Sequence, residues 1–154
     1  MRAEQLDIEI TETAIMSDPQ RAAQVMTALD AMGVRLSIDD FGTGYTSLAQ
    51  LRRLPVDEVK IDRSFIMNML RDANDAMIVH SIIDLAHNMN RTVVAEGVES
   101  KKILDALAAL NCDVVQGYFF SKPLSVADFQ NWLNAASSFQ SGPSTVSRII
   151  QQPA

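Results

Sequence analysis

Five times along this chain a short apolar run closes on a polar or charged residue and gives way to a stretch with helical spacing. The runs are Leu6–Ile10, Val34–Ile38, Glu58–Ile61, Thr92–Ala95 and Val114–Gly117. Between the first two, Asp18 caps a helix with Pro19 at its first position, and Ala22, Val25, Met26, Leu29 and Met32 follow at helical spacing up to Gly33. A short helix over 46–51 precedes Pro55, and a longer one over 75–90 sets Ile78, Ile82, Leu85 and Met89 on one face. Further helices read over 100–110 and 125–136, the last able to turn Phe129, Trp132 and Leu133 inward. Strands alternating with helices imply parallel βα units with right-handed crossovers. The fold class is α/β, either an open doubly wound sheet or part of a (β/α)₈ TIM-type barrel. A full barrel takes about 250 residues, and these 154 hold five of its eight units.

In such folds the C-terminal ends of the strands share one rim, where the active site lies. That rim would receive Glu9 and Glu12, then Asp39 and Asp40, then Lys60 and Asp62, then Glu96 and Glu99, and finally Gln116. One acid after a strand is usually a helix cap or a solvated loop residue, and Lys60 alone would read as a snorkelling surface lysine. Five successive strand ends of this kind are harder to dismiss. Crowded carboxylates repel and raise one another's pKa, and a hard divalent cation such as Mg²⁺, Mn²⁺ or Ca²⁺ relieves that. Neighbours such as Asp39 and Asp40 normally point to opposite faces of a strand, but at a strand end turning into a loop both reach the rim. Gly42 and Gly44 suit a tight loop over the site, although a Gly-x-Gly by itself is weak evidence.

Composition narrows the options. The 19 acidic against 13 basic residues give a net charge of −6, the wrong sign for a nucleic-acid polymer binder. Arg52-Arg53 and Lys101-Lys102 read as solvated faces. No apolar run approaches the roughly 20 residues of a membrane span, and no signal-peptide core follows Met1. Cys112 is the single cysteine, which excludes an internal disulfide and a cysteine-built zinc site. A cytoplasmic address is expected. His80 and His87 read as packing or surface residues, Cys112 as a small buried one, and the eight methionines as core filling.

Five segments together resemble the EAL family of bacterial cyclic-di-GMP phosphodiesterases: Leu6-Asp7-Ile8-Glu9-Ile10-Thr11-Glu12-Thr13, Asp39-Asp40-Phe41-Gly42-Thr43-Gly44-Tyr45, Val59-Lys60-Ile61-Asp62-Arg63-Ser64-Phe65, Val94-Ala95-Glu96-Gly97-Val98-Glu99 and Gln116-Gly117-Tyr118-Phe119-Phe120-Ser121-Lys122-Pro123. They stand in the family's order and spacing over about residues 4–135. The resemblance implies a (β/α)₈-type barrel with one antiparallel strand, a hydrolase in bacterial second-messenger signalling. It implies hydrolysis of cyclic-di-GMP to linear pGpG with Mg²⁺ or Mn²⁺, two ions in the complete domain, and inhibition by Ca²⁺. Matched by position, Glu9, Asp39, Asp40 and Glu96 are similar to metal ligands, with Asp39 bridging. Lys60 resembles the lysine that holds the attacking water, and Glu96 the candidate general base. Glu99 resembles a supporting catalytic residue, and Gln116 and Asp62 substrate-binding residues. Glu12 resembles the anchor of the loop after the Asp-Asp pair, a loop the family also uses in dimerisation and signalling.

The sequence contains no Glu-Ala-Leu segment, and it lacks the family's upstream asparagine ligand and substrate-contacting arginine. The expectation is a truncated EAL domain over residues 1–136, strands four to eight of the family barrel, with residues 137–154 as a tail or linker. Its metal shell would be incomplete and the chain inactive alone. The open edges at 6–10 and 114–117 would invite a homodimer or higher assembly, unless the tail covers them. The alternatives are a non-catalytic module binding cyclic-di-GMP or a protein, and a fragment without independent activity.

Overall fold

A computed structural model of the chain describes residues 2–44, 48–137 and 148–149. After a 3₁₀ turn at Ala3–Gln5 come β1 (Asp7–Thr11), α1 (Glu12–Ser17), α2 (Pro19–Ala31), β2 (Arg35–Phe41), α3 (Leu48–Leu51), β3 (Glu58–Ile61) and α4 (Arg63–Asn68). Then follow α5 (Ala73–Asn88), β4 (Thr92–Ala95), α6 (Lys101–Ala109), β5 (Val114–Val115), α7 (Val126–Ser137) and β6 (Arg148–Ile149). The strands form one sheet in chain order, and every neighbouring pair is parallel. This is the α/β arrangement of a partial barrel, with the five strands marked by the sequence in place.

The strands alternate, and the alternation separates two environments. Leu36, Ile38, Val59, Ile61, Val93, Ala95 and Val115 face the helices and share one apolar core with Met26, Ile66, Val79, Ile83 and Leu107. Burying a side chain of this size contributes roughly 1.5–3 kcal/mol. The intervening positions form the opposite face: Glu9 on β1, Ser37 and Asp39 on β2, Glu58 and Lys60 on β3, Val94 on β4 and Val114 on β5. Val94 and Val114 are buried but stand outside the helix-facing core.

Local chemistry fixes the element ends. Asp18 accepts from the Arg21 amide and Pro19 opens α2 as the sequence indicates. Asp62, Asp72 and Ser100 cap α4, α5 and α6 in the same way. At the opposite rim from the candidate site, Asp57 accepts from the Leu36 amide at 3.0 Å and Asp113 from the Val93 amide at 2.8 Å. His87 Nε2 lies 2.8 Å from the same Asp113 oxygen. Cys112 is half-buried, and burial pushes its thiol up to about 12, so it is inert.

Several expectations need correction. The six-residue helices α1 and α4 are absent from the sequence reading, because fewer than two turns give no period to detect. Of the α2 stripe only Met26 is fully buried, while Val25 and Met32 are exposed. Met67 and Met77 are exposed as well, so methionine is not uniformly core filling here. In α7, Phe129 and Leu133 stay exposed, and Phe129 stacks on Trp132 with ring centroids 6.1 Å apart. The edge of β5 carries β6, through Val114 with Arg148 and Val115 with Ile149, which is the alternative in which the tail covers that edge. Val146 and Ile150, apolar residues of the tail on either side of this strand, lie outside the described residues.

Gly117 turns the chain just beyond β5, where any side chain would meet backbone. A Cβ there would stand 2.2 Å from the Val98 carbonyl oxygen and 2.3 Å from its nitrogen. Both Val98 groups are already engaged, the amide with Gln116 O at 3.0 Å and the carbonyl with the Phe119 amide at 2.9 Å. Gly117→Ala is therefore expected to lower stability by about 3 kcal/mol, the upper end of ordinary overpacking, as read by urea denaturation.

Candidate functional site

Parallel pairing carries the ends of β1 to β4 to one rim, and their polar side chains meet around one ammonium. Lys60 Nζ lies 2.7 Å from Glu9 Oε1, 2.7 Å from Glu96 Oε1 and 3.6 Å from Asp39 Oδ1. The lysine side chain is only 3% exposed, against 40% for Glu9. At 2.7 Å the ammonium and the two carboxylates attract strongly, although the alignment of Lys60 Nζ with Glu96 Oε1 falls short of an ideal hydrogen bond. Burial alone would lower the lysine pKa. Its contacts with Glu9 and Glu96, together with the charges of Glu96 and Asp39, overcome burial and push it up to about 12. Glu96 is held above the ordinary carboxylate value, first by burial and then by the like charges of Asp39 and Glu9, with Lys60 opposing.

Asp39 and Asp40 reach the rim by a specific backbone device. Ile38 pairs with Val59 and Phe41 with Ile61, so β2 spends three residues where β3 spends two. That irregularity is a bulge. It places Asp40 in the left-handed region at φ 54°, which a short polar side chain tolerates better than most. Burial, followed by the charges of Asp39 and Asp62, raises the Asp40 pKa, with Lys60 opposing. Burial also acts to raise Asp62, but the hydroxyl and amide of Ser64 hold it below its ordinary value.

Glu12 is 2% exposed at the start of α1. Its Oε2 accepts from the amides of Gly42 and Gly44, each at 3.0 Å. A Cβ on Gly44 would stand 2.8 Å from the Glu12 carboxyl carbon, so that glycine is needed for the approach. Gln116 is half-buried and follows Val115, whose register partner is Ala95, which sets it beside Glu96. Glu99 is exposed on the turn before α6 and does not join the Lys60 cluster. The structure thus brings together Glu9, Asp39, Lys60 and Glu96, places Asp40 with Asp62 beside them, and leaves Glu99 apart.

Two residues next to this group escaped the sequence reading. Ser64 steadies Asp62, and its position two residues past a capping aspartate was the available signal. Ser37 lies on the site face between the two polar strand ends, and its place two residues before Asp39 was the clue. The oxygens of Glu9, Asp39, Asp40 and Glu96 are the donors a hard divalent cation takes. The buried Glu96 Oε1, whose contact with the Lys60 ammonium is poorly aligned, fits that use. The set fits in kind and is incomplete in number: among the described residues no three Asp, Glu, His or Cys side chains form a ready metal shell.

The lysine should govern how stability responds to pH in metal-free buffer. Its raised pKa contributes stability that is whole below 10.5 and lost as pH rises through about 12. The raised Glu96 has the opposite origin: the folded chain holds that proton more firmly, so stability falls as pH climbs above 4.5. Lys60→Met leaves the carboxylates without a countercharge. It is expected to lower stability by about 2 kcal/mol at neutral pH, less than for a fully buried pair because Glu9 is open to water. The deficit should shrink as pH falls toward 4.5, which urea midpoints at several pH values would report.

Among the described residues no helix is long and apolar enough to cross a membrane. The family profile of the EAL domain matches residues 1–123. The chain is 47% identical over 130 residues to the cyclic di-GMP phosphodiesterase NbdA of Pseudomonas aeruginosa, covering 84% of this chain and 17% of that protein. It superposes on a solved structure described as "PaMucR Phosphodiesterase, c-di-GMP complex" with TM-score 0.82 and 41% identity, covering 84% of this chain and 52% of that one. It is also similar to the manganese/cy-diGMP complex of BlrP1 from Klebsiella pneumoniae, with TM-score 0.74 and 34% identity over 79% of this chain and 31% of that one. The chain therefore spans about a sixth of the curated relative and a third to a half of these solved chains. The profile match and the close relatives agree with the rim geometry, and the chain is a partial EAL domain, a member of the EAL family.

Proposed function

We propose that this chain is part of a metal-dependent phosphodiesterase domain that hydrolyses cyclic-di-GMP to linear pGpG in the cytoplasm. The observation that carries the reading is the buried Lys60 ammonium held among Glu9, Asp39 and Glu96 at the C-terminal ends of parallel strands. The relatives named for cyclic-di-GMP support the substrate. Glu9, Asp39, Asp40 and Glu96 would hold the divalent ions, and Mg²⁺ or Mn²⁺ is the proposed metal. When bound, such ions lower the pKa of water and neutralise charge on phosphoryl oxygens.

The chain's own residues do the rest. Lys60 orients the attacking water and sets positive charge where the phosphoryl oxygens gain negative charge. Glu96 accepts the proton of that water, a task suited to a carboxyl whose pKa burial has raised. The water oxygen bonds to phosphorus, the ester bond to one ribose oxygen breaks, and the leaving oxygen takes up a proton. Gln116, Asp62 and Glu99 contact the nucleotide or its waters. Glu12 fixes the 41–44 loop beside them.

A second reading has its own support. Lys60 already engages Glu9 and Glu96 and offsets one of the cluster's negative charges, and no three-residue metal shell is complete among the described residues. A module of that kind would bind cyclic-di-GMP or a protein partner without hydrolysis. Incubation with cyclic-di-GMP and Mg²⁺ or Mn²⁺, followed by chromatography of pGpG, separates the two. The 154-residue chain is expected to bind metal and nucleotide weakly and to turn over little. Within a complete barrel, Glu96→Ala should reduce turnover by at least ~100-fold, the usual weight of a general base. Unchanged metal binding and turnover in both Glu96→Ala and Asp39→Asn would refute the assignment.

Self-association is part of the same proposal. Tyr118, Phe119, Val126, Phe129 and Leu133 leave apolar surface exposed along α7 and the segment before it. Light scattering of the purified chain should report a homodimer or larger assembly, and a stable monomer would remove this element.

A further inference from the structure

Three buried side-chain atoms among the described residues lack an aligned hydrogen-bond partner: Lys60 Nζ, Glu96 Oε1 and Ser37 Oγ. The first two belong to the rim cluster, and the third has no role in it so far. Ser37 is 1% exposed. Its register partners are Glu9 on β1 and Glu58 on β3, so three polar side chains stand side by side on the site face. Glu58 is itself buried, and its ion contact with Arg35 is long at 3.9 Å.

The path of Lys60 gives this layer its meaning. The lysine starts on β3, and its ammonium touches Glu9, which starts on β1. β2 lies between those strands. The lysine side chain therefore crosses in front of β2, where Asp39 Oδ1 comes within 3.6 Å of it. Ser37 is the next residue on that face, one layer below. A small side chain there leaves room for the crossing, and its buried hydroxyl has no aligned partner on the same face of the sheet. Buried hydroxyl groups without a partner are rare, and an ordered water is one way they are satisfied. A polar pocket offering two to four partners is what such a water needs.

We propose that Ser37 is a positioning residue for Lys60, acting through a buried water that also bonds the Glu58 carboxylate. The hydroxyl accepts from or donates to the water, the water accepts from the ammonium, and the water donates to Glu58. The lysine is thereby supported from below as well as pulled by the carboxylates above. This role rests on the reading of Lys60 as the residue that orients the attacking water. It is tested without metal, nucleotide or turnover, so its failure is separable from failure of the hydrolase assignment.

The test is exchange of the Lys60 ammonium protons, followed by NMR on the full chain, with a high-resolution crystal structure of the same protein. The expected results are a water within hydrogen-bond distance of Ser37 Oγ and Lys60 Nζ, and exchange about tenfold faster in Ser37→Ala, matching loss of one hydrogen bond to a charged group. Ile38→Val, which trims the opposite, helix-facing side of β2, should lower stability while leaving Lys60 exchange unchanged. An empty space beside Ser37, or equal exchange in wild type and Ser37→Ala, would overturn the proposal. So would an equal acceleration in Ile38→Val, because the effect would then be general loosening of the strand.

Discussion

Everything at the candidate site depends on one buried cation. Without the Lys60 ammonium, Glu9, Asp39 and Glu96 would be three carboxylates converging on a poorly hydrated space, which is unfavourable unless they take up protons or bind another cation. The lysine makes the convergence tolerable, and its own raised pKa is the reciprocal sign of that attraction. Because burial opposes the charged lysine while the acids favour it, neither side is stable there without the other. The cluster is thus a single electrostatic unit drawn from four strands rather than four independent residues.

The backbone supplies what side-chain charge cannot. A regular strand would turn Asp39 and Asp40 to opposite faces. The bulge between Ile38 and Phe41 and the left-handed Asp40 break that alternation at the one place where two adjacent acids serve the rim. The loop that follows is tied down by a single Glu12 oxygen receiving two amides. Both devices place strain or a buried charge next to the site, where local rules are most often broken for the sake of geometry.

Much of this was legible in the residues. β3 and β4 fall where the apolar runs put them, and Asp18 with Pro19 opens α2 as written. The convergence of Glu9, Asp39, Lys60 and Glu96 follows from one rule, that parallel strands end on a common rim. Other features were not legible for physical reasons. A bulge leaves no mark in a pattern of apolar residues, so β2 was expected to stop before Asp39 rather than run on to Phe41. The helix α7 has an apolar stripe but little to pack it on, and periodicity reports the stripe rather than the partner. The pairing of β6 with β5 is a contact between segments far apart in the chain, and the polar composition around it reads as linker.

The two aspartates at the far rim reach further than their position suggests. Asp57 and Asp113 each stand immediately before a strand and grip the first turns of backbone in the strand before it, β3 onto β2 and β5 onto β4. Such clamps resist longitudinal sliding. A strand rises about 3.3 Å per residue, so a two-residue slip that kept every side chain on its proper face would still displace a rim group by about 7 Å. The height at which each acid emerges is thus set from the opposite end of the sheet, by carboxylates that never meet the chemistry.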